Sequence, residues 1–157
     1  MSTPSTVWRN PVHFLAFGLG SGVSPKAPGT AGTLAAALIW WLLPSMALTD
    51  YLLFVALACV AGVWICGRTA RDIGVHDHGG IVWDEFAGLW ITLILIPPGI
   101  LWLVAAIALF RFFDIVKPWP IGWLDRHVGG GTGIMVDDVL AGLMALVCLQ
   151  LAAQVIV

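Results

Sequence analysis

The sequence predicts an all-α integral membrane bundle with about five membrane segments, and three observations carry that reading. Hydrophobic residues make up 60% of the 157-residue chain and charged residues 10%, with a mean hydropathy of +0.97, well outside the soluble globular range. Four long runs, 31–48, 51–67, 86–110 and 139–157, contain no charged residue. All seven Lys and Arg residues, with eight of the nine acids, fall in segments that this weave places on one side of the membrane; Asp50 alone lies on the other.

The elements follow in order. Stretch 12–22 is short, glycine-broken and followed by Lys26, so it does not read as a cleaved signal. Trp8, Phe14, Leu15 and Phe17 suit an N-terminal interfacial helix lying on the inner leaflet. A bilayer core of roughly 30 Å needs about 20 apolar residues in a helix. The first, second and last runs approach that length. The third is too long for one ordinary span and contains Pro97-Pro98-Gly99 near its middle. It forms either one kinked helix or a short helical hairpin broken at Pro97-Pro98. The hairpin puts Arg68 and Arg71 on the same side as Arg111, Lys117 and Arg126 and leaves both far turns without a basic residue, as the positive-inside rule favours. The N-terminus is then inside and the C-terminus outside, and residues 1–157 form a single membrane-embedded domain.

Composition also excludes. No basic tract of the kind nucleic acid demands is present. Cys59, Cys66 and Cys148 sit in or at the ends of apolar runs without a CxxC pair, so neither zinc nor a disulfide framework is suggested. Cys66 and Arg71 are separated by four residues where a phosphatase Cys loop needs five, and Cys66 reads as an apolar thiol at a helix end.

Four polar loops share the charged face. Loop 18–33 is rich in glycine, proline and hydroxyls, including Ser21 and Thr30, and enters an apolar helix directly. Such a loop can aim N–H groups and hydroxyls at an anion; it can equally be a membrane-entry turn capped by Thr30 or Thr33. Loop 71–85 carries His76 and His78, able to transfer protons near neutral pH, and ends in Asp84-Glu85 at a membrane boundary. One carboxylate suffices to cap a helix, whereas two adjacent ones repel and must be hydrated, paired or metal-bound. In loop 111–126, Arg111, Asp114 and Lys117 stand three apart and share a helix face, either as an ion-pair ladder or as part of a site. Pro118 and Pro120 end that helix, and Trp119 and Trp123 suit headgroup depth. Loop 129–138 repeats the pattern of the second, with Asp137-Asp138 at the mouth of the last run.

Two acidic doublets plus Asp114 on one membrane face suggest a metal cage. Mg2+ prefers oxygen ligands, often one or two protein carboxylates with water and phosphate oxygens. Arg111 and Lys117 would hold the phosphate oxygens that the metal leaves free. Carboxylates, cations and a glycine-rich anion loop together suit phosphoryl chemistry, which relies on positioning and charge neutralisation.

Blocks 21–33, 76–90, 110–126 and 130–142 together resemble the phosphatidylglycerophosphatase A family of Gram-negative bacteria, and the resemblance covers nearly the whole chain. It implies a Mg2+-dependent phosphatase of the bacterial inner membrane, its active-site loops on the cytoplasmic face. The implied substrate is the phospholipid phosphatidylglycerophosphate, hydrolysed to phosphatidylglycerol and phosphate in the last step of phosphatidylglycerol synthesis. Asp84, Glu85, Asp114, Asp137 and Asp138 match the family's polar blocks. Within that scheme Asp84, Glu85, Asp137 and Asp138 are expected to hold metal, and Ser21, Thr30, Arg111 and Lys117 to bind phosphate. His78 or His76 would protonate the leaving oxygen, and Asp114 would orient the water.

Other classes fit less well. Histidine-based membrane lipid phosphatases need a Pro-Ser-Gly-His segment, aspartyl-phosphate phosphatases Asp-x-Asp-x-Thr, and CDP-alcohol phosphotransferases an Asp-Gly-x2-Ala-Arg block; none occurs. A transporter would place ionisable groups near the midplane, and these runs carry none.

Overall fold

The computed structural model describes residues 4–75 and 78–156, and within them the chain is all-helical, with seven α-helices and two 3-10 segments. The N-terminal 3-10 segment Ser5–Trp8 leads into α1 (Pro11–Ala16), where Pro11 stands in the first turn and the Asn10 side chain accepts from Val12 N–H as N-cap. The second 3-10 segment, Gly18–Val23, precedes α2 (Pro28–Leu42), which also starts on proline. Helix α3 (Leu48–Ile73) stops at Gly74, whose φ of 70° closes the last turn. Then come α4 (Trp83–Thr92), α5 (Ile100–Val116), α6 (Ile121–His127) and α7 (Gly130–Ile156).

The third apolar run does divide at the prolines. Residues 93–99 leave the helix, and Glu85 against Arg111 and Gly88 against Phe110 show that α5 returns alongside α4 in the opposite direction. Expected span lengths fare less well. Only α3 and α7, at 26 and 27 residues, are long and apolar enough to cross a membrane among the described residues. At 1.5 Å rise per residue, α4 covers only about 15 Å and α2 and α5 about 22 and 26 Å. The turn at 93–99 takes up residues that a full span would have used.

Small residues let the helices approach closely. A Cβ on Gly131 would fall on the Val63 carbonyl and Gly67, joining α7 to α3, and a Cβ on Gly142 would fall on the Gly88 carbonyl, joining α7 to α4. Away from the charged end, several polar groups between the helices find partners. Tyr51 donates to the Trp90 carbonyl at 2.8 Å, and Trp90 Nε1 donates to the Ala36 carbonyl at 3.0 Å. Gln150 Nε2 donates to the carbonyls of Ile94 and Leu95 at 3.0 and 3.1 Å, satisfying acceptors that the end of α4 exposes. On the outside the bundle is apolar, with Leu57, Val60, Leu101 and Leu151 more than half exposed.

The N-terminal segment packs onto the core. Val7, Ala16 and Phe17 are fully buried, while Trp8 is 64% exposed. Buried His13 joins Thr6 at 3.0 Å to Asp72 of α3 at 3.1 Å, fixing the segment to the end of α3. Apart from Asp50 in the first turn of α3, charge among the described helices gathers at that end of the bundle: Arg68 and Asp72 close α3, Asp84 and Glu85 open α4, Arg111 and Asp114 close α5, and Asp137 and Asp138 lie early in α7. At the opposite end a cavity of about 630 Å³ lies among Trp40, Tyr51, Leu93 and Pro98.

Candidate active site

The start of α4 is held on three sides. Val82 N–H donates to the Ala16 carbonyl at 2.9 Å, Trp83 Nε1 donates to the Ala58 carbonyl at 3.1 Å, and Phe86 is fully buried. These contacts fix the direction of Asp84 and Glu85. The Gly88–Gly142 contact then draws α7 against α4 and sets Asp138 beside them. One oxygen from each of Asp84, Glu85 and Asp138 lies within 4.8 Å of the other two.

A cavity of about 340 Å³ opens over this cluster. Its lining includes all five expected acids, Asp84, Glu85, Asp114, Asp137 and Asp138, together with Asp125 and Lys117; Ile81, Val128 and Ile134 supply apolar walls. Six carboxylates therefore face a small volume whose one lining cation among the described residues is Lys117. Asp84 Oδ1, Glu85 Oε2, Asp137 Oδ1 and Asp138 Oδ2 are buried without a hydrogen-bond partner. Buried unpaired carboxylate oxygens are costly, and their convergence is what a cation site requires. Oxygens on opposite sides of a Mg2+ ion lie about 4.2 Å apart, twice the usual ligand distance, so the triad's spacing suits one hard ion.

Arg111 lies behind the cavity wall and does not line it. Its Nη1 is 3.5 Å from Glu85 Oε1 and also pairs with Asp114 Oδ2. Helix α2 closes over this pair: a Cβ on Gly29 would fall on Glu85 Oε1 and lie 3.0 Å from Arg111 Nη1. The expected ladder is thus half realised, because Arg111 pairs with Asp114 while Lys117 turns elsewhere. Lys117 caps α5 in the left-handed conformation, φ 46°, and its Nζ donates to Asp125 Oδ1 at 2.8 Å and to Asp137 Oδ2 at 2.6 Å. Burial works against this ammonium, but the two carboxylates outweigh it and hold its pKa above the ordinary lysine range.

The remaining expected residues stand apart from the cavity. His78 is buried against Phe17 with ring centroids 5.4 Å apart; its neighbour Gly79 lines the cavity and His78 does not. Gly80 N–H donates to His78 Nδ1 at 3.1 Å, so a neutral ring carries its proton on Nε2. His76 lies outside the described residues. Ser21 Oγ donates to the Gly18 carbonyl at 2.8 Å, and Thr30 is exposed; neither lines the cavity. Asp125 was not singled out from the sequence, because it reaches Lys117 only after Pro118 and Pro120 turn the chain into α6.

Comparison with known proteins follows the same blocks. The chain matches the family described as Phosphatidylglycerophosphatase A over residues 14–153. It is 52% identical to a phosphatidylglycerophosphatase A of Escherichia coli K12 over 137 residues, covering 87% of this chain and 80% of that protein. A phosphatidylglycerophosphatase A of Haemophilus influenzae is 49% identical over 140 residues, 88% of this chain and 86% of that protein. A Bacteroides thetaiotaomicron protein, provisionally named a phosphatidylinositol-3-phosphatase, is 42% identical over 147 residues, 88% of this chain and 91% of that protein. No solved structure matches the chain.

Proposed function

We propose, for a chain that belongs to the phosphatidylglycerophosphatase A family, that it hydrolyses the terminal phosphomonoester of phosphatidylglycerophosphate to phosphatidylglycerol and inorganic phosphate in a Mg2+-dependent reaction. The observation that carries the reading is the carboxylate-lined cavity with its four orphaned buried oxygens, at the charged end of an otherwise apolar bundle. A diacyl lipid keeps its chains in the leaflet and offers its phosphate at headgroup depth, where that end lies if α3 and α7 cross the bilayer. We place the protein in the inner membrane as a multi-pass enzyme with the cavity on the cytoplasmic face, which is where the basic residues belong.

Asp84, Glu85 and Asp138 would hold the ion, and Asp137 lines the same cavity. When bound, Mg2+ supplies Lewis acidity and neutralises phosphate charge. Lys117 has three N–H donors, two of them used by Asp125 and Asp137, and offers the third to a phosphate oxygen. Asp114, held by Arg111, orients the attacking water and accepts its proton. His78 sits behind the lining residue Gly79, outside the cavity, so we leave the departing glycerol oxygen to take its proton from water. Ile81, Val128 and Ile134 limit water access, which strengthens each charge interaction inside.

Phosphate release by purified protein in mixed micelles tests the reading, with phosphatidylglycerophosphate and phosphatidylinositol-3-phosphate at equal mole fraction. Preference for the glycerol lipid is expected. Hydrolysis of the inositol lipid alone, or flux of either lipid in proteoliposomes without phosphate release, would overturn it.

A further inference from the structure

Helix α6 is seven residues long and lies between two breaks, yet two of its residues, Gly122 and Asp125, converge on Lys117. Lys117 holds a left-handed backbone, which crowds the Cβ of an L residue. Gly122 passes so close to it that a Cβ would lie 2.7 Å from the Lys117 carbonyl oxygen. One turn further, Asp125 Oδ1 accepts from Lys117 Nζ at 2.8 Å, while Asp137 Oδ2 of α7 accepts from the same nitrogen at 2.6 Å. Lys117, Asp125 and Asp137 all line the one cavity. An ammonium on a four-carbon stem is otherwise a loosely aimed point charge. Two acceptors on two different helices leave its third N–H a narrow range of directions. Without Asp125 the ammonium would swing onto Asp137, whose remaining oxygen is one of the buried orphans.

We propose that Asp125 is a positioning residue, holding Lys117 so that its third N–H faces the phosphate in the cavity and keeping it from closing over Asp137. This rests on the phosphomonoester reading above. Asp125 touches no reacting atom; it acts through Lys117.

Lys26 and Lys117 are the chain's two lysines, so Lys26→Arg leaves Lys117 as the single lysine side chain and permits a readout independent of substrate. In that background, acetylation of Lys117 between pH 8 and 11 is followed by mass spectrometry in the full-length protein with Asp125, Asp125→Asn or Asp125→Glu. Kinetics are measured in parallel. Asp125→Asn is expected to move the labelling profile to lower pH by about one unit, and so to speed labelling at pH 9 about tenfold. It should also raise the Michaelis constant for phosphatidylglycerophosphate about tenfold with turnover changed less than about threefold. Asp125→Glu should restore both. Asp125→Ser serves as a second neutral variant if the Asn protein does not insert. An unmoved labelling profile overturns the proposal, as does a moved profile with unchanged kinetics. If the parent protein releases no phosphate from this lipid, the functional reading fails on its own, and labelling alone decides whether Asp125 holds Lys117.

Discussion

Gly142 of α7 meets Gly88 of α4 with no room for a methyl group between them: a Cβ on Gly142 would fall on the Gly88 carbonyl oxygen and lie 3.0 Å from the carbonyl carbon. Thr92 Oγ1 fastens the same crossing, donating to the carbonyls of Gly88 at 3.0 Å and Gly142 at 3.3 Å. One turn toward the charged end, this contact becomes the meeting of Asp138 with Asp84 and Glu85. The separation of the acids is therefore set by backbone packing between two glycines. Gly142→Ala should force the helices apart and cost about 1–3 kcal/mol. Phosphate release should fall more than about tenfold, in a protein that still inserts and reaches near-normal levels. A lower unfolding midpoint with unchanged release would show that the acids tolerate the shift.

Arg111 should behave as a support for the acids and not as a substrate ligand. It pairs with Glu85 and Asp114 from behind the cavity wall, and its Nε is buried without a partner. Arg111→Lys keeps the charge but loses the planar guanidinium whose Nη1 meets both carboxylates. Turnover should drop about tenfold or more, with the Michaelis constant nearly unchanged. Arg111→Ala leaves two carboxylates without their cation and should lower stability by about 3 kcal/mol. Micelle kinetics with a melting measurement in detergent check both; a pure Michaelis-constant effect would return Arg111 to the phosphate.

These residues show how far the sequence could be read. The acidic doublets were legible because paired carboxylates at the mouth of an apolar run have few other uses, and the structure gathers both doublets with Asp114 around one cavity. Arg111–Asp114 was legible from helical spacing. The partners of Lys117 were not, because α5 ends on it in a left-handed turn, and a periodicity argument stops at the last helical residue. Asp125 was hidden by the Pro118–Pro120 turn for the same reason. Ser21 shows the converse: its hydroxyl is consumed by the Gly18 carbonyl within its own turn, which no spacing rule reveals. The break at Pro97-Pro98 into two short helices was read correctly.

Gln150 reaches the 93–99 turn from the apolar stretch of α7. Gln150→Leu removes the donor shared by the Ile94 and Leu95 carbonyls and should lower stability by about 1 kcal/mol. The Michaelis constant should stay unchanged, because the turn lies at the end of the bundle opposite the cavity. A kinetic effect without a stability loss would place the turn in the reaction.

The proposed orientation is checked by thiol labelling in a background without Cys59, Cys66 and Cys148. Ser45→Cys, in the turn between α2 and α3, should react with an impermeant reagent in intact cells. Arg126→Cys, on α6 beside the cavity, should react only after the membrane is opened. The reverse pattern, or equal reaction at both positions, would contradict a cytoplasmic cavity.

The central claim is that the Asp84–Glu85–Asp138 cluster holds a divalent cation for phosphomonoester hydrolysis. Mn2+ binding to chelator-treated protein, followed by electron paramagnetic resonance, tests it most directly when phosphate release from phosphatidylglycerophosphate is measured on the same samples. Asp84→Asn and Asp138→Asn remove charge at nearly constant volume, so packing should hold. The account predicts that the parent protein binds Mn2+, releases phosphate only when Mg2+ is restored, and loses both properties in each variant. Full phosphate release in the presence of chelator, or Mn2+ binding undiminished in both variants, would contradict it.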